Sequence, residues 1–173
     1  MGMSNIVAPS ILSADFGNLA NDISMLNSSK ADWIHIDVMD GHYVPNISFG
    51  MPIIDSINAI SNKPLDIHLM ISKPERYIEK FLKYNIKVLT IHLEASRHLH
   101  RTIQEIKSKG VMAGVAINPH TDVNHLSEII NDIDIVCVMS VNPGFSGQNF
   151  IENSYNKVKK LKKIILEKKS NCK

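Results

Sequence analysis

Short apolar runs alternate along the chain with longer stretches whose apolar residues recur at helical spacing. The runs at 6–10, 33–39, 65–70, 88–92, 112–117 and 133–139 predict six strands. Their starts lie 27, 32, 23, 24 and 21 residues apart, enough each time for a strand, a helix and two short loops. Leu19, Ile23 and Leu26 line one face of a helix that Asp15 is placed to cap. Pro74 predicts a helix start ahead of Tyr77, Ile78, Phe81 and Leu82, and Gly110 the end of a helix carrying Leu99, Ile103 and Ile106. Val158, Leu161, Ile164 and Ile165 form the apolar stripe of a last helix.

Residues 111–117 and 133–139 are nearly continuous apolar runs, as strands buried on both faces read. Strict alternation of strand and helix over six units predicts a parallel α/β sheet. An open nucleotide-binding sheet carries a Gly-x-Gly-x-x-Gly turn after its first strand. Here Pro9-Ser-Ile-Leu-Ser-Ala-Asp15 contains no glycine, and polar residues end several strands, as at the catalytic face of a barrel. The expected fold is a parallel (β/α)8 TIM barrel, with about six βα units in one domain over 1–173.

Composition adds exclusions. With 44% apolar and 21% charged residues in 173, the chain reads as an ordinary globular domain. No apolar run reaches the roughly 18 residues that would span a bilayer, and the first residues lack the pattern of a secretory signal. Cys137 and Cys172 are too few for a disulfide framework; Cys137 reads as a small buried side chain, and a cytoplasmic location is expected. Residues 157–173 hold eight lysines and one acid, so a net charge of +2 leaves −5 for the rest. These lysines are the solvated face of the last helix and have no interleaved aromatic residues. Neither nucleic acid nor membrane is an expected partner.

Three patterns carry chemistry. In Trp33-Ile-His-Ile-Asp-Val-Met-Asp-Gly41, His35 and Asp37 are two apart and share a strand face; Asp66-Ile-His-Leu-Met70 sets His68 at a matching level on the next strand. Such a set is either a partial site for Zn, Fe, Mn or Co, or a group of polar strand ends satisfied by their neighbours. The second pattern is Val141-Asn-Pro-Gly-Phe-Ser-Gly-Gln148, ahead of the last helix. It is a tight turn that can also close its N–H groups around a phosphate. The third is Met39, Met70 and Met139, which follow polar strand ends and suit either the core or a water-excluding rim over the site. His92 is a candidate for the barrel mouth, while His42, His98, His100, His120 and His125 are expected at the surface.

Together, Ala8-Pro-Ser-Ile-Leu-Ser-Ala-Asp-Phe16, His35-Ile-Asp-Val-Met-Asp-Gly41, Val44-Pro-Asn46, Leu65-Asp-Ile-His-Leu-Met70 and the 141–148 loop closely resemble the ribulose-phosphate 3-epimerase family. The resemblance implies one divalent metal ion held by His35, Asp37 and His68, with Asp37 also a catalytic acid/base. It implies substrate contacts from Ser10, His68, Gly144, Phe145, Ser146 and Gly147. The implied reaction interconverts D-ribulose 5-phosphate and D-xylulose 5-phosphate in the pentose phosphate pathway, in a homo-oligomer. An epimerase of another ketose phosphate, such as allulose 6-phosphate, and an inactive barrel remnant are the competing readings. The family's barrel has two further βα units, which bring a fourth metal ligand and a second acid/base. The chain is therefore expected to be C-terminally incomplete, and an isolated 1–173 polypeptide inactive and prone to aggregate.

Overall fold

The computed structural model describes residues 5–173. Five strands, β1 (Ile34–Met39), β2 (Leu65–Met70), β3 (Ile86–His92), β4 (Met112–Ile117) and β5 (Ile135–Val138), form one parallel sheet in the order of the chain. Helices α1 (Leu19–Ser28), α2 (Met51–Ile60), α3 (Ile78–Phe81) and α4 (Leu99–Ser108) precede or separate the first four strands, and α5 (Ser154–Glu167) follows β5. The order runs one way with no reversal, so the sheet winds as a barrel does and has no topological switch point. This is a partial β/α barrel.

The alternation of side chains divides the sheet into two faces. Ile34, Ile36 and Val38 on β1, and Leu65, Ile67 and Leu69 on β2, all join the main apolar cluster with helix residues such as Ile23, Ile54 and Ile57. That cluster welds sheet to helices and leaves the opposite face for polar groups. On that face Gly114 lets β4 approach β3 closely, because a Cβ there would lie 3.0 Å from Thr90 Cβ and 3.2 Å from Thr90 Cα.

Four expectations need correction. Residues 6–10 lie beside β1 but are not a strand: Val7 and Pro9 carbonyls accept from Asp32, Trp33 and His35 N–H groups, and Ser10 alone bridges to His35. The return half of the ladder is missing because the Val7 N–H is held by Asp32 Oδ2 at 2.8 Å and Pro9 has no N–H. Asp15 does not cap α1. Its Oδ1 accepts from Gly17 N–H, and Asn18 occupies the cap position. In α5, Val158 is exposed, and the buried face includes Lys157. Its Nζ donates to the Asn118 and Pro119 carbonyls at 2.6 and 3.3 Å, so a long stem with two acceptors occupies a place that residue class alone assigns to an aliphatic side chain. Finally, β5 is only partly buried and Cys137 on it is half-exposed. Lys173 pairs alongside β5, through Val136 N–H to Lys173 O and Lys173 N–H to Asp134 O.

Candidate active site

Parity and register assemble the site. His35 and Asp37 project from β1 to the face away from the helices, and the parallel register sets Asp66 beside His35 and His68 beside Asp37. His35 Nδ1 lies 2.7 Å from Asp66 Oδ2 and His35 Nε2 3.2 Å from Asp37 Oδ1. His68 Nδ1 lies 3.2 Å from the same Asp37 oxygen, and the Ser10 hydroxyl donates to Asp37 Oδ2 at 2.6 Å. One donor atom from each of His35, Asp37 and His68 falls within 4.8 Å of the others.

The charges explain the shape. Asp66 only accepts, so His35 Nδ1 carries a hydrogen. A neutral His35 would then turn a lone pair on Nε2 toward Asp37 Oδ1, leaving two acceptors face to face. The cluster calls for positive charge. A proton provides it on His35: burial disfavours the charged ring, but Asp37 and Asp66 outweigh burial and raise His35 to about 10. Burial lowers His68 to about 4 despite Asp37, with His92 and His35 adding to the effect, so His68 stays neutral. Burial would raise Asp37, yet hydrogen bonds from His35 and His68 hold it well below the ordinary carboxylate range. Two imidazole nitrogens and an ionised carboxylate, converging where positive charge is favoured, fit a divalent metal ion of the Zn, Fe, Mn or Co type.

His92 goes deeper than a mouth position. It is fully buried at the end of β3, its ring stacked 4.9 Å from His68 with Nε2 2.8 Å from His68 Nε2. Glu94 follows two residues later, its side chain 20% exposed and its Oε2 3.4 Å from His92 Nδ1. Neither Asp66 nor Glu94 stood out in the sequence as a site residue. The only signal was their two-residue spacing from His68 and His92.

Met39 and Met70 face each other across β1 and β2 and form a small buried cluster with Val44, packed on by Leu12 and Tyr43. Met139 stands apart, half-exposed after β5, with its sulfur 3.9 Å from Cys137 Sγ. In the 141–148 loop, Gly144 is buried against Val44 and Pro45 at φ +126°, and its carbonyl accepts from Asn46 Nδ2 at 2.8 Å. Phe145, Ser146 and Gly147 remain exposed. The helix after the loop begins only at Ser154, so residues 149–153 separate it from the glycines. His42, His98, His100, His120 and His125 are exposed, as expected.

A family model described as the ribulose-phosphate 3 epimerase family matches residues 6–173. The chain belongs to the ribulose-phosphate 3-epimerase family. It is 52% identical over 162 residues to the ribulose-phosphate 3-epimerase of Bacillus subtilis (strain 168), covering 94% of this chain and 75% of that protein. It is 45% identical over 170 residues to the enzyme of that name from Synechocystis sp., covering 97% of this chain and 74% of the relative. With the chloroplastic ribulose-5-phosphate-3-epimerase of Arabidopsis thaliana it shares 44% over 165 residues, which is 94% of this chain and 59% of the relative. The motifs that carried the resemblance to this epimerase family are those that build the site: Ser10 from the first, His35 and Asp37 from the second, His68 from the fourth.

Proposed function

We propose that the protein is a metal-assisted 3-epimerase that interconverts D-ribulose 5-phosphate and D-xylulose 5-phosphate through an enediolate. The observation that carries the reading is the Asp37 carboxylate. It is fixed by Ser10 on one oxygen and flanked by His35 and His68 on the other, next to a methionine cluster that excludes water. Inverting C3 of a 2-ketose removes a proton next to a carbonyl and returns one to the opposite face. Asp37 holds or moves the proton on one of these faces, and Ser10 keeps its carboxylate in a single orientation. His35, Asp37 and His68 would hold the metal ion. When bound, such an ion acts as a Lewis acid that stabilises the negative charge developing on the substrate oxygens. Met39 and Met70 shield the reacting carbon, Met139 adds a separate apolar side chain after β5, and Gly144, Phe145, Ser146 and Gly147 contact the substrate. A cytoplasmic location accords with two unpaired cysteines.

The test follows, in the complete enzyme, exchange of the C3 hydrogen of D-ribulose 5-phosphate with deuterium oxide by proton NMR. In Asp37→Asn, exchange is expected to fall at least about 100-fold, the lower end of what a positioned acid/base contributes. Exchange at the parent rate would overturn the assignment.

A further inference from the structure

We infer that His92 and Glu94 are positioning residues that set the tautomer of His68 and thereby leave its Nδ1 lone pair free for the metal ion. The argument follows one proton per link. His68 has two nitrogens: Nδ1 faces Asp37 within the ligand cluster, and Nε2 lies 2.8 Å from His92 Nε2. A contact that short between two imidazole nitrogens requires one hydrogen between them. If His92 supplied it, His68 Nε2 would be the acceptor and a neutral His68 would carry its hydrogen on Nδ1, pointing at the metal position. If His68 supplies it, Nδ1 is bare and ligates.

Glu94 selects the second arrangement. His92 Nδ1 is a buried nitrogen without a well-formed hydrogen bond, and Glu94 Oε2 stands 3.4 Å away. A carboxylate there favours the hydrogen on His92 Nδ1, which leaves His92 Nε2 as the acceptor for His68. Glu94 is itself held in place. Its Oε1 accepts from the Asn118 backbone N–H at 2.8 Å and from the Thr121 hydroxyl, and its Oε2 accepts from the Tyr43 hydroxyl at 3.4 Å. Stacking of the two imidazoles and packing of Tyr43 on His92 at 4.9 Å keep the rings from rotating out of register. His35 is treated the same way by Asp66, so each imidazole of the site has its non-ligating nitrogen assigned by a carboxylate, directly for His35 and through His92 for His68.

The inference rests on the metal-site reading above, and its test needs no substrate. Long-range 1H–15N NMR of the Zn(II)-loaded, 15N-histidine-labelled protein is expected to show hydrogen on Nε2 of His68 and on Nδ1 of His92. The His68 Nδ1 resonance is expected to differ from that of the metal-free protein, in which this nitrogen faces only Asp37 Oδ1. Hydrogen on His68 Nδ1 or on His92 Nε2 would overturn the relay without any variant being made. Competition with a chromophoric chelator then gives the Zn(II) dissociation constant. His92→Phe, which keeps a ring but removes the acceptor, is expected to bind about 10–100-fold more weakly, the usual effect of losing an outer partner of a ligand. His92→Gln, whose carbonyl can accept from His68 Nε2, is expected to recover part of that loss. Parent-like affinity in a folded His92→Phe protein overturns the relay alone, whereas a parent whose His68 resonances ignore Zn(II) overturns the metal reading with it.

Discussion

Gly114→Ala tests the closest approach in the barrel interior. The added Cβ would stand 3.0 Å from Thr90 Cβ and 3.2 Å from Thr90 Cα and would collide with Thr90 Oγ1. Thr90 cannot simply rotate away, because its Cα is one of the atoms met, so β3 and β4 must separate by several tenths of an ångström. Overpacking of this kind costs about 1–3 kcal/mol. Removing a glycine restricts the unfolded chain and returns about 0.4–1 kcal/mol, leaving a net loss on the order of 1–2 kcal/mol. For a chain of this length each kcal/mol moves the melting temperature by about 2–4 °C. Calorimetry should therefore show a drop of about 2–8 °C. A double-mutant cycle with Thr90→Ala isolates the contact: the alanine at 114 should cost less when Thr90 is already truncated, with a coupling of about 0.5–3 kcal/mol. Thr90 pairs with His68 in the β2–β3 register, so the same displacement should weaken Zn(II) binding. A Gly114→Ala protein as stable as the parent, or additivity in the cycle, would refute the reasoning.

Three further outcomes are expected. His92, Thr121 and the Asn118 N–H lower Glu94 from 4.5 to about 2 against the opposing effect of burial. A carboxyl that binds its proton less readily when folded stabilises the fold above its unfolded value and loses that contribution as pH falls. Urea midpoints should therefore drop more steeply for the parent than for Glu94→Gln as pH falls from 4.5 toward 2, and parallel curves would contradict the shift. Chelation should lower the melting temperature of Zn(II)-loaded protein, since free metal at 100 times its dissociation constant contributes about 2.7 kcal/mol. Asp37→Ala should make the melting temperature indifferent to chelator. Lys157→Met should cost about 1–3 kcal/mol in urea denaturation, because it strips the donor from two carbonyls; an unchanged midpoint would mean that water or a neighbour replaces the lysine.

The site was largely legible because strand parity is a local property. His35 and Asp37 are two apart, and the motif around His68 repeats the arrangement on the next strand. Asp66 and Glu94 were not legible, because their roles depend on which neighbouring strand they face and on where a ring nitrogen points. Register, which apolar periodicity does not encode, decides the first, and the packing of the His92 ring on His68 decides the second. Residues 6–10 have the composition of a strand, but Pro9 and the Asp32 side chain remove the donors that would complete a ladder. Lys157 escaped for the opposite reason: a residue class that normally faces water found two carbonyls at the depth its stem reaches.

The hydrogen bond from Asn46 to the Gly144 carbonyl spans 98 residues, whereas the Asp37–His68 contact spans 31. On a flexible-chain scale, closing the longer loop costs about 1 kcal/mol more. The four polar groups on β1 and β2 can therefore come together while the chain is short, but the glycine turn must wait for β3, β4 and β5 to be laid down in between. Synthesis at about 5–20 residues per second puts roughly 5–20 s between the emergence of Asn46 and that of Gly144. During that interval Val44 and Pro45 lack the glycine that later packs on them, and the nascent polypeptide carries an assembled ligand cluster with an unclasped loop beside it.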